Sequence, residues 1–534
     1  MEPLNRLEIS TAELEALLEQ VREPLGEAGY QKLKAAIHTL GYVTELLQDQ
    51  ETTIQALRNL LCQARTEKTA AVLERAGITT DATPPAGTNA ETPRPPGHGR
   101  NGTQAYRGAR RITVAHPTLK KGDRCPECAK GKVYGQVPAT VVRIIGQTPV
   151  QATVYAMDKL RCNLCGQVFT AEPPEGVGSE KYDATAVSMI ALLKYGSGLP
   201  FHRLERLQRN LGIPLPASTQ WELVAETARQ IEAAHEELVH QAAQGEVLYN
   251  DDTSMKILEL MKPGSADEED FLGRTGIFTS GIVSTQGGQR IALFFTGRKH
   301  AGENLADVLA HRAQNIGPPI QMCDALARNL PRELEVILSH CIVHGRRRFV
   351  EVTPNFPDQC RHVLQTLGEV YRHDAIAREQ QMSPHDRLTF HQIHSGPLMT
   401  QLRKWLSGQL DQHKVEPNSG LGTAIAYMIK YWNELTLFLR QAGAPLDNNI
   451  CERILKKAIL HRKNALFYKT RNGAHVGDIF MSLIYTCQLS NADPFDYLTQ
   501  LQRHAGELAG TPSHWMPWNY LDTLQSADAR VDSG

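Results

Sequence analysis

The sequence predicts a multidomain α/β protein on three observations: its 534-residue length, a central run of β-patterned segments interrupted by one helix, and helical patterning on both sides of that run. At ~100 to 200 residues per domain, such a chain holds about three or four units. Lys plus Arg number 57 and Asp plus Glu 58, a net charge of −1 that excludes a uniformly basic DNA-coating protein and an acidic solvating tail. Any nucleic-acid surface is therefore local. Hydrophobic residues make up 41% and charged residues 22%, and no run of ~18 apolar residues is present, so no membrane partner is expected. Glu2 and Glu8 flank the first leucines where a signal peptide would have a basic start and an apolar stretch, so the expected location is the cytosol. Four of the ten cysteines fall in two CxxC pairs, while Cys62, Cys323, Cys341, Cys360, Cys451 and Cys487 are scattered and read as buried thiols.

Residues 1–76 read as helical. Leu33, Leu40, Leu47, Ile54 and Leu61 recur every seven residues, with Ala36, Val43 and Leu57 three positions later, as in a self-associating coiled coil. Gln50 interrupts the second row, and an amphipathic helix packed on its own domain is the competing reading. Residues 77–105 carry Pro84, Pro85, Pro93, Pro95 and Pro96 among glycines, the composition of a flexible linker. Residues 94 to 124 hold eight Arg or Lys against Asp123 alone, which reads as a phosphate-binding stretch or as a solvated linker. Its candidate DNA contacts include Arg107, Arg110, Arg111, Lys120 and Lys121. Over 106–178, Cys125-Pro-Glu-Cys128 and Cys162-Asn-Leu-Cys165 supply four thiolates for one tetrahedral, structural Zn²⁺. The 33 residues between the pairs are rich in β-branched side chains, so a zinc ribbon with an enlarged hairpin is expected; redox cysteines or unrelated buried thiols are the alternatives.

Residues 179–240 resemble a helix-turn-helix. Gly212 suits the end of its second helix, and Thr219 with Glu222 has capping-box spacing at the start of the third, which would present Ser218, Thr219 and Gln220 to base edges. A plain helical subdomain is the alternative. In 241–350, EVLYNDDTSMKIL, RTGIFTSGIVST and QRIALFFTGR read as three successive strands, then ENLADVLAHRA as a helix and PIQMCDA as a fourth strand. That order is the one expected of a ribonuclease H-like core, broken by a helical insertion at 351–443 and completed by 444–500, with 501–534 as a C-terminal tail. Asp251 lies in the first strand and Asp324 at the C-terminal end of the fourth, where ligands of open α/β sheets collect. The bland readings are an exposed turn for Asp251 and a helix cap for Asp324.

Glu452 opens a helix followed by Arg453, Lys456, Lys457, Arg462, Lys463, Lys469 and Arg471, with no acid between 453 and 471. Asn449 and Glu452 also have capping-box spacing, and Lys456 stands in i, i+4 position for an ion pair. In combination, two strand aspartates and a helix glutamate beside a basic stretch suit two hard divalent cations acting on a phosphodiester.

The motifs NDDT at 250–253, CDA at 323–325, CIVHGRRRF at 341–349, LDNNICERILKKAILHRKNALF at 446–467, DPFDYL at 493–498 and MPWN at 516–519 give the chain a resemblance to the insertion sequence 66 family of bacterial DDE transposases. The resemblance covers most of the chain. It implies Asp251, Asp324 and Glu452 as catalytic ligands of two Mg²⁺ or Mn²⁺ ions, in an enzyme that frees a 3′-hydroxyl at a transposon end and joins it to target DNA. It also implies DNA as the partner, a homo-oligomer on that DNA, and small accessory proteins of the same element. Asp252 stands where the family usually has Glu, leaving Asp251 and Asp252 as alternatives for the first ligand with Asp251 preferred, and the family's Gly-Tyr after Asp324 is missing. His344, Arg346, Arg347, Arg453, Lys456, Lys457, Arg462 and Lys463 are further expected DNA contacts. A catalytically silent DNA-binding regulator and a structure-specific nuclease are the alternative functions.

Overall fold

The computed structural model describes residues 111–128, 130–134, 147–161, 167–178, 180–262, 274–331 and 334–531, with a few isolated residues besides. The chain divides into two compact units, 1–80 and 81–534. In the first, Tyr30, Thr69 and Val72 are helical, and Tyr30 and Val72 are buried. The heptad row from Leu33 to Leu61 lies outside the described residues, as do Arg107, Arg110 and, apart from Gln104, the linker 77–105.

The second unit begins with a small antiparallel pair, β1 (Lys159–Arg161) and β2 (Val168–Thr170), around the second CxxC, whose Cys162 and Cys165 lie outside the described residues. The strands of the expected large hairpin do not form over 147–158. Val154 and Tyr155 there are exposed, and strands with no apolar face to bury gain little from pairing.

Three helices follow: α1 (Ala184–Ala191), α2 (Phe201–Asn210) and α3 (Ala217–Ala243). Asp183 caps α1 by accepting the Ala186 N–H at 2.9 Å, and Gly212, at φ +76°, lies just beyond the end of α2. Helix α3 starts at Ala217 after Pro216, so Thr219 and Glu222 form no capping box at its N-terminus. Its residues Val224, Ala228, Ile231 and Leu238 are buried at helical spacing in the main core. Gln220 is fully buried too, its amide donating to the carbonyls of Phe201 and Leu215, and is therefore a core residue rather than a reader of bases.

The centre is a five-stranded sheet of β3 (Val247–Ser254), β4 (Phe278–Gln286), β5 (Gln289–Gly297), β6 (Ile320–Cys323) and β7 (Ile337–His340). Its spatial order is β5-β4-β3-β6-β7, with β3, β4 and β5 an antiparallel meander and β6 and β7 running parallel to β3. The segments expected as strands form it, and α4 (Ala301–Leu309) joins β5 to β6. From β7 the chain passes into α5 (Ile342–Val352), α6 (Pro357–Glu379), α7 (Pro384–His394), α8 (Gly396–Asp411), α9 (Gly420–Lys430) and α10 (Trp432–Leu435). It returns to the sheet as α11 (Asn449–Ala465) and α12 (Arg471–Leu489), then ends with α13 (Pro494–Arg503), α14 (Ala505–Gly510) and α15 (Tyr520–Val531). The segment expected as a tail is folded: Leu508, Trp515, Met516 and Tyr520 are buried in the main core, and the Trp515 carbonyl accepts from the Tyr497 hydroxyl at 2.8 Å.

The outer edge of β5 is sealed by side chains of α12. The N–H groups of Ala292, Phe294 and Thr296 donate to Thr486 Oγ1 (3.0 Å), Ser482 Oγ (3.0 Å) and Asp478 Oδ2 (2.7 Å). Four helical residues rise about 6 Å and two strand residues about 6.8 Å, so an i, i+4, i+8 row can track alternate strand positions. The row satisfies donors that an uncovered edge would offer to another chain. Ser482→Ala is expected to leave the Phe294 N–H buried without an acceptor and to cost ~1–3 kcal/mol, read as a lower denaturant midpoint at unchanged slope. An unchanged midpoint would show that the edge does not depend on the row.

Candidate active site

Strand register brings the two aspartates together. In the parallel pairing of β3 with β6, Tyr249 stands opposite Met322, so two residues further along each strand Asp251 and Asp324 lie side by side on one face. Asp252, one residue on, faces the other way. Its buried carboxylate meets His300 Nδ1 at 2.9 Å and Arg328 at 3.2 Å, an ion-paired structural position under the N-terminus of α4. Of the two adjacent acids, Asp251 is the one on the Asp324 face. Asp324 does part of what its bland reading assigned it, since Oδ1 accepts from the Leu326 N–H at 3.3 Å and from the Asn329 amide.

Glu452 arrives from α11, which crosses the same face. The buried Cys451 thiol donates to the Gly281 carbonyl at 3.2 Å, and Gly281 is the register partner of Asp251. A Cβ at residue 281 would stand 3.0 Å from the Leu455 side chain, so glycine there lets the helix lie close. The expected Asn449–Glu452 capping box does not form, and Asn448 is the residue before the first turn. Glu452 Oε1 is instead buried without a hydrogen-bond partner, and the imidazole Nε2 of His344 on α5 lies 3.8 Å from it.

A buried amide network, absent from the sequence reading, ties the three acidic segments together. The Asn250 amide donates to the Asn329 carbonyl (2.8 Å), and the Gln321 amide donates to Asn250 Oδ1 (2.8 Å) and to the same carbonyl (2.6 Å). The Asn448 amide donates to the Asn250 carbonyl (3.1 Å), and its own N–H reaches Cys341 Sγ (3.3 Å). Asn250 precedes Asp251, Asn329 holds Asp324 and Asn448 leads into the Glu452 helix. Cys341, His344 and Glu452 also place one ligand atom each within 4.8 Å of one another. Burial pushes the Cys341 thiol up to about 12, so in the absence of a metal it stays protonated and serves as a hydrogen-bonding wall.

Burial, followed by the charge of Asp324, raises the Asp251 carboxyl to about 7, and Asp252 and Glu452 add to the rise. Such a site is short of positive charge. An oxygen-rich donor set, an orphaned carboxylate oxygen and a carboxyl kept from ionising by burial and then by like charges together fit hard divalent cations at Asp251, Asp324 and Glu452.

Around this cluster the expected DNA contacts divide. Arg453, Lys456, Lys457 and Lys463 are exposed along α11, as are Arg111, Lys120, Lys121 and Ser218 elsewhere, while Thr219 and Arg347 are partly exposed. Arg462 is tied to the end of β3 through Thr253 Oγ1 (3.2 Å) and Ser254 Oγ (2.7 Å), so part of its role is to brace the helix. Arg346 on α5 is buried, unlike the expectation for it. His344 lies against Glu452, within the acidic site.

The profile described as Transposase IS66 family matches residues 180–476, which holds the whole sheet, the three carboxylates and α11. The chain belongs to the IS66 transposase family. Among proteins of Sinorhizobium fredii (strain NBRC 101917 / NGR234), it is 31% identical to the uncharacterized protein y4jD over 34% of this chain and 36% of that one. It is 24% identical to the uncharacterized protein y4hP over 77% of this chain and 75% of that one, and 24% identical to y4qI over 62% of each. The match to y4jD thus spans about a third of that protein's length. No helix among the described residues of this IS66 family chain is long and apolar enough to cross a membrane.

Two predictions follow from the geometry. Asp251 and the buried Asp478 both have folded-state values raised to about 7 from 3.8, so each binds its proton more tightly folded than unfolded. Their contributions are fully present below pH ~3.8 and are lost as pH rises toward about 7, so metal-free protein should lose melting temperature across that window. Asp251→Asn should flatten the decline, and Mg²⁺ should offset the wild-type loss but not the part removed by Asp478→Asn; a decline unaffected by Asp251→Asn would exclude the raised Asp251 value. Separately, Asn448→Ala should weaken Mn²⁺ binding by about 10–100-fold, as loss of a ligand-orienting group does, with titration calorimetry as the check. Unchanged affinity would mean that the network does not orient the ligands.

Proposed function

We propose that this chain is a DNA transposase that hydrolyses the phosphodiester at an element's end and joins the freed 3′-hydroxyl to target DNA. The observation that carries the reading is the meeting of Asp251, Asp324 and Glu452 on one face of the sheet, beside exposed bases of the helix that bears Glu452. The strand order, a three-strand meander followed by two parallel strands, supports a ribonuclease H-like core. Asp251, Asp324 and Glu452 would hold two Mg²⁺ or Mn²⁺ ions, which when bound polarise the phosphodiester and activate water. Lys456, Lys457 and Arg453, exposed beyond the cluster, bind the phosphate backbone and set the strand in register, a role for point charges and guanidinium forks alike.

In the first step a water oxygen bonds to phosphorus, the P–O3′ bond breaks, and the products are a 3′-hydroxyl and a 5′-phosphate. In the second, that 3′-oxygen attacks a target phosphorus, the target's own P–O3′ bond breaks and the departing oxygen takes up a proton. No covalent bond to the protein forms in either step. The chain would act as an oligomer holding two ends, with DNA and small accessory proteins of the element as partners. Cys125, Cys128, Cys162 and Cys165 would bind one structural Zn²⁺. In support, the Cys128 thiol accepts the Gly131 N–H at 3.5 Å, and that bond, the largest influence on it, holds the thiol below its ordinary value and favours the thiolate.

Incubating the full chain and Glu452→Gln with labelled duplexes carrying the ends that flank its gene, in Mg²⁺ or Mn²⁺, tests the proposal. Metal-dependent 3′-end release and strand transfer are expected, with the variant slower by more than about a hundredfold. Cleavage that survives in the variant would remove Glu452 from the triad. Cleavage without joining would favour a nuclease, and end binding without cleavage a regulator.

A further inference from the structure

Just beyond Ala465, where α11 ends, the backbone turns through Leu466 at φ +70°, in the left-handed region. For a non-glycine residue this costs on the order of 1 kcal/mol or more, and such strain persists where neighbours over-determine it. Both sides of the turn are anchored. The Leu466 N–H donates to the Arg462 carbonyl at 2.8 Å, while Tyr468 is drawn back into the core, bonded to the strand end through Lys256 O and the Leu258 N–H, each at 2.9 Å. The Tyr468 ring stacks on His461 with centroids 4.9 Å apart. Held between these anchors, Leu466 and Phe467 stay 63% and 42% exposed.

With Ser254, Met255, Lys256 and Arg462 they line a surface cavity of about 450 Å³, within the ordinary range for small-ligand sites. Its lining is apolar at Met255, Leu466 and Phe467 and basic at Lys256 and Arg462, with Lys463 and Lys469 exposed nearby in sequence. An aromatic face beside cations is the chemistry that receives unstacked bases of a nucleic-acid strand. The position also fits. Ser254 lies three residues past Asp251 on β3, about 10 Å at ~3.3 Å per residue, or about three base steps of ~3.4 Å.

We propose that this cavity holds one nucleobase of the DNA end, unstacked within about three nucleotides of the cleaved bond, with Phe467 as its stacking face and Leu466 as the wedge that replaces it in the duplex. The proposal rests on the transposase reading above and adds to it a site outside the carboxylate cluster.

The test uses the full chain, Ca²⁺ in place of Mg²⁺, and end duplexes carrying 2-aminopurine at single positions on either side of the cleaved bond. On binding, emission should rise at one position. In Phe467→Ala, and in Leu466→Gly, where glycine accepts the positive φ and keeps the turn, the rise should fall to the free-duplex level in complexes formed at protein concentrations that saturate the duplex. With Mg²⁺, an abasic site at that position should restore cleavage by Phe467→Ala toward the wild-type rate, because the unstacking cost is then gone; a merely structural defect would not be rescued. No emission change anywhere in a complex that binds the ends, or a rise surviving both variants, would overturn the proposal and leave the transposase reading standing. Failure of the wild type to bind the ends would overturn both.

Discussion

Two unit charges about 5 Å apart repel by about 3 kcal/mol at an effective dielectric of ~20, and this site gathers three carboxylates from distant parts of the chain. Their mutual repulsion is the constraint on which the rest of the structure depends. Left to itself, it would push the strand ends and the helix apart. What opposes it is a scaffold bonded at each contributing element: Asn250, Gln321, Asn329 and Asn448 bridge the three segments, and Cys451 fixes the helix to Gly281. Burial first, and then the charge of Asp324, makes Asp251 hold its proton up to about pH 7. Divalent-cation binding by these carboxylates, as proposed above, would require Asp251 to give up that proton, so binding and ionisation would be coupled.

Helix α11 concentrates the chemistry. Its first turn carries Glu452, where the helix dipole favours negative charge. Its buried face, Ile454, Leu455, Ala458 and His461, follows helical spacing onto the sheet, leaving Arg453, Lys456, Lys457 and Lys463 to solvent. Its far end brings Leu466 and Phe467 to the surface. One rigid rod thus sets the separation between acidic cluster, basic row and apolar turn. The α12 row of Asp478, Ser482 and Thr486 holds the opposite edge of the same sheet.

Much of this was legible in the sequence, for local reasons. The β-branched runs of 247–254, 278–286 and 289–297 fold as strands, and the positions of Asp251, Asp324 and Glu452 could be read from patterning and motif together. The choice between Asp251 and Asp252 could not, because it depends on register: only the pairing of Tyr249 with Met322 shows which acid shares a face with Asp324. The amide network was invisible for the same reason, since Asn250 and Asn448 are 198 residues apart. Motif position suggests surface groups at Gln220 and Arg346, yet tertiary packing buries both. The position of His344 beside Glu452 depends on the path of α5, which motif spacing does not give. The final segment has the polar look of a tail, but Trp515 and Tyr520 give it enough apolar surface to dock on the core.

On the proposed reading, Asp251, Asp324 and Glu452 bind the divalent cations, and pairing with His300 and Arg328 keeps Asp252 out of that site. Anomalous scattering from Mn²⁺-soaked crystals of the full chain tests it most directly. The predicted result is metal density between the carboxylates of Asp251, Asp324 and Glu452, with Asp252 still bonded to His300. Density at Asp252 instead, or none at the cluster when Mn²⁺ is bound elsewhere, would contradict it.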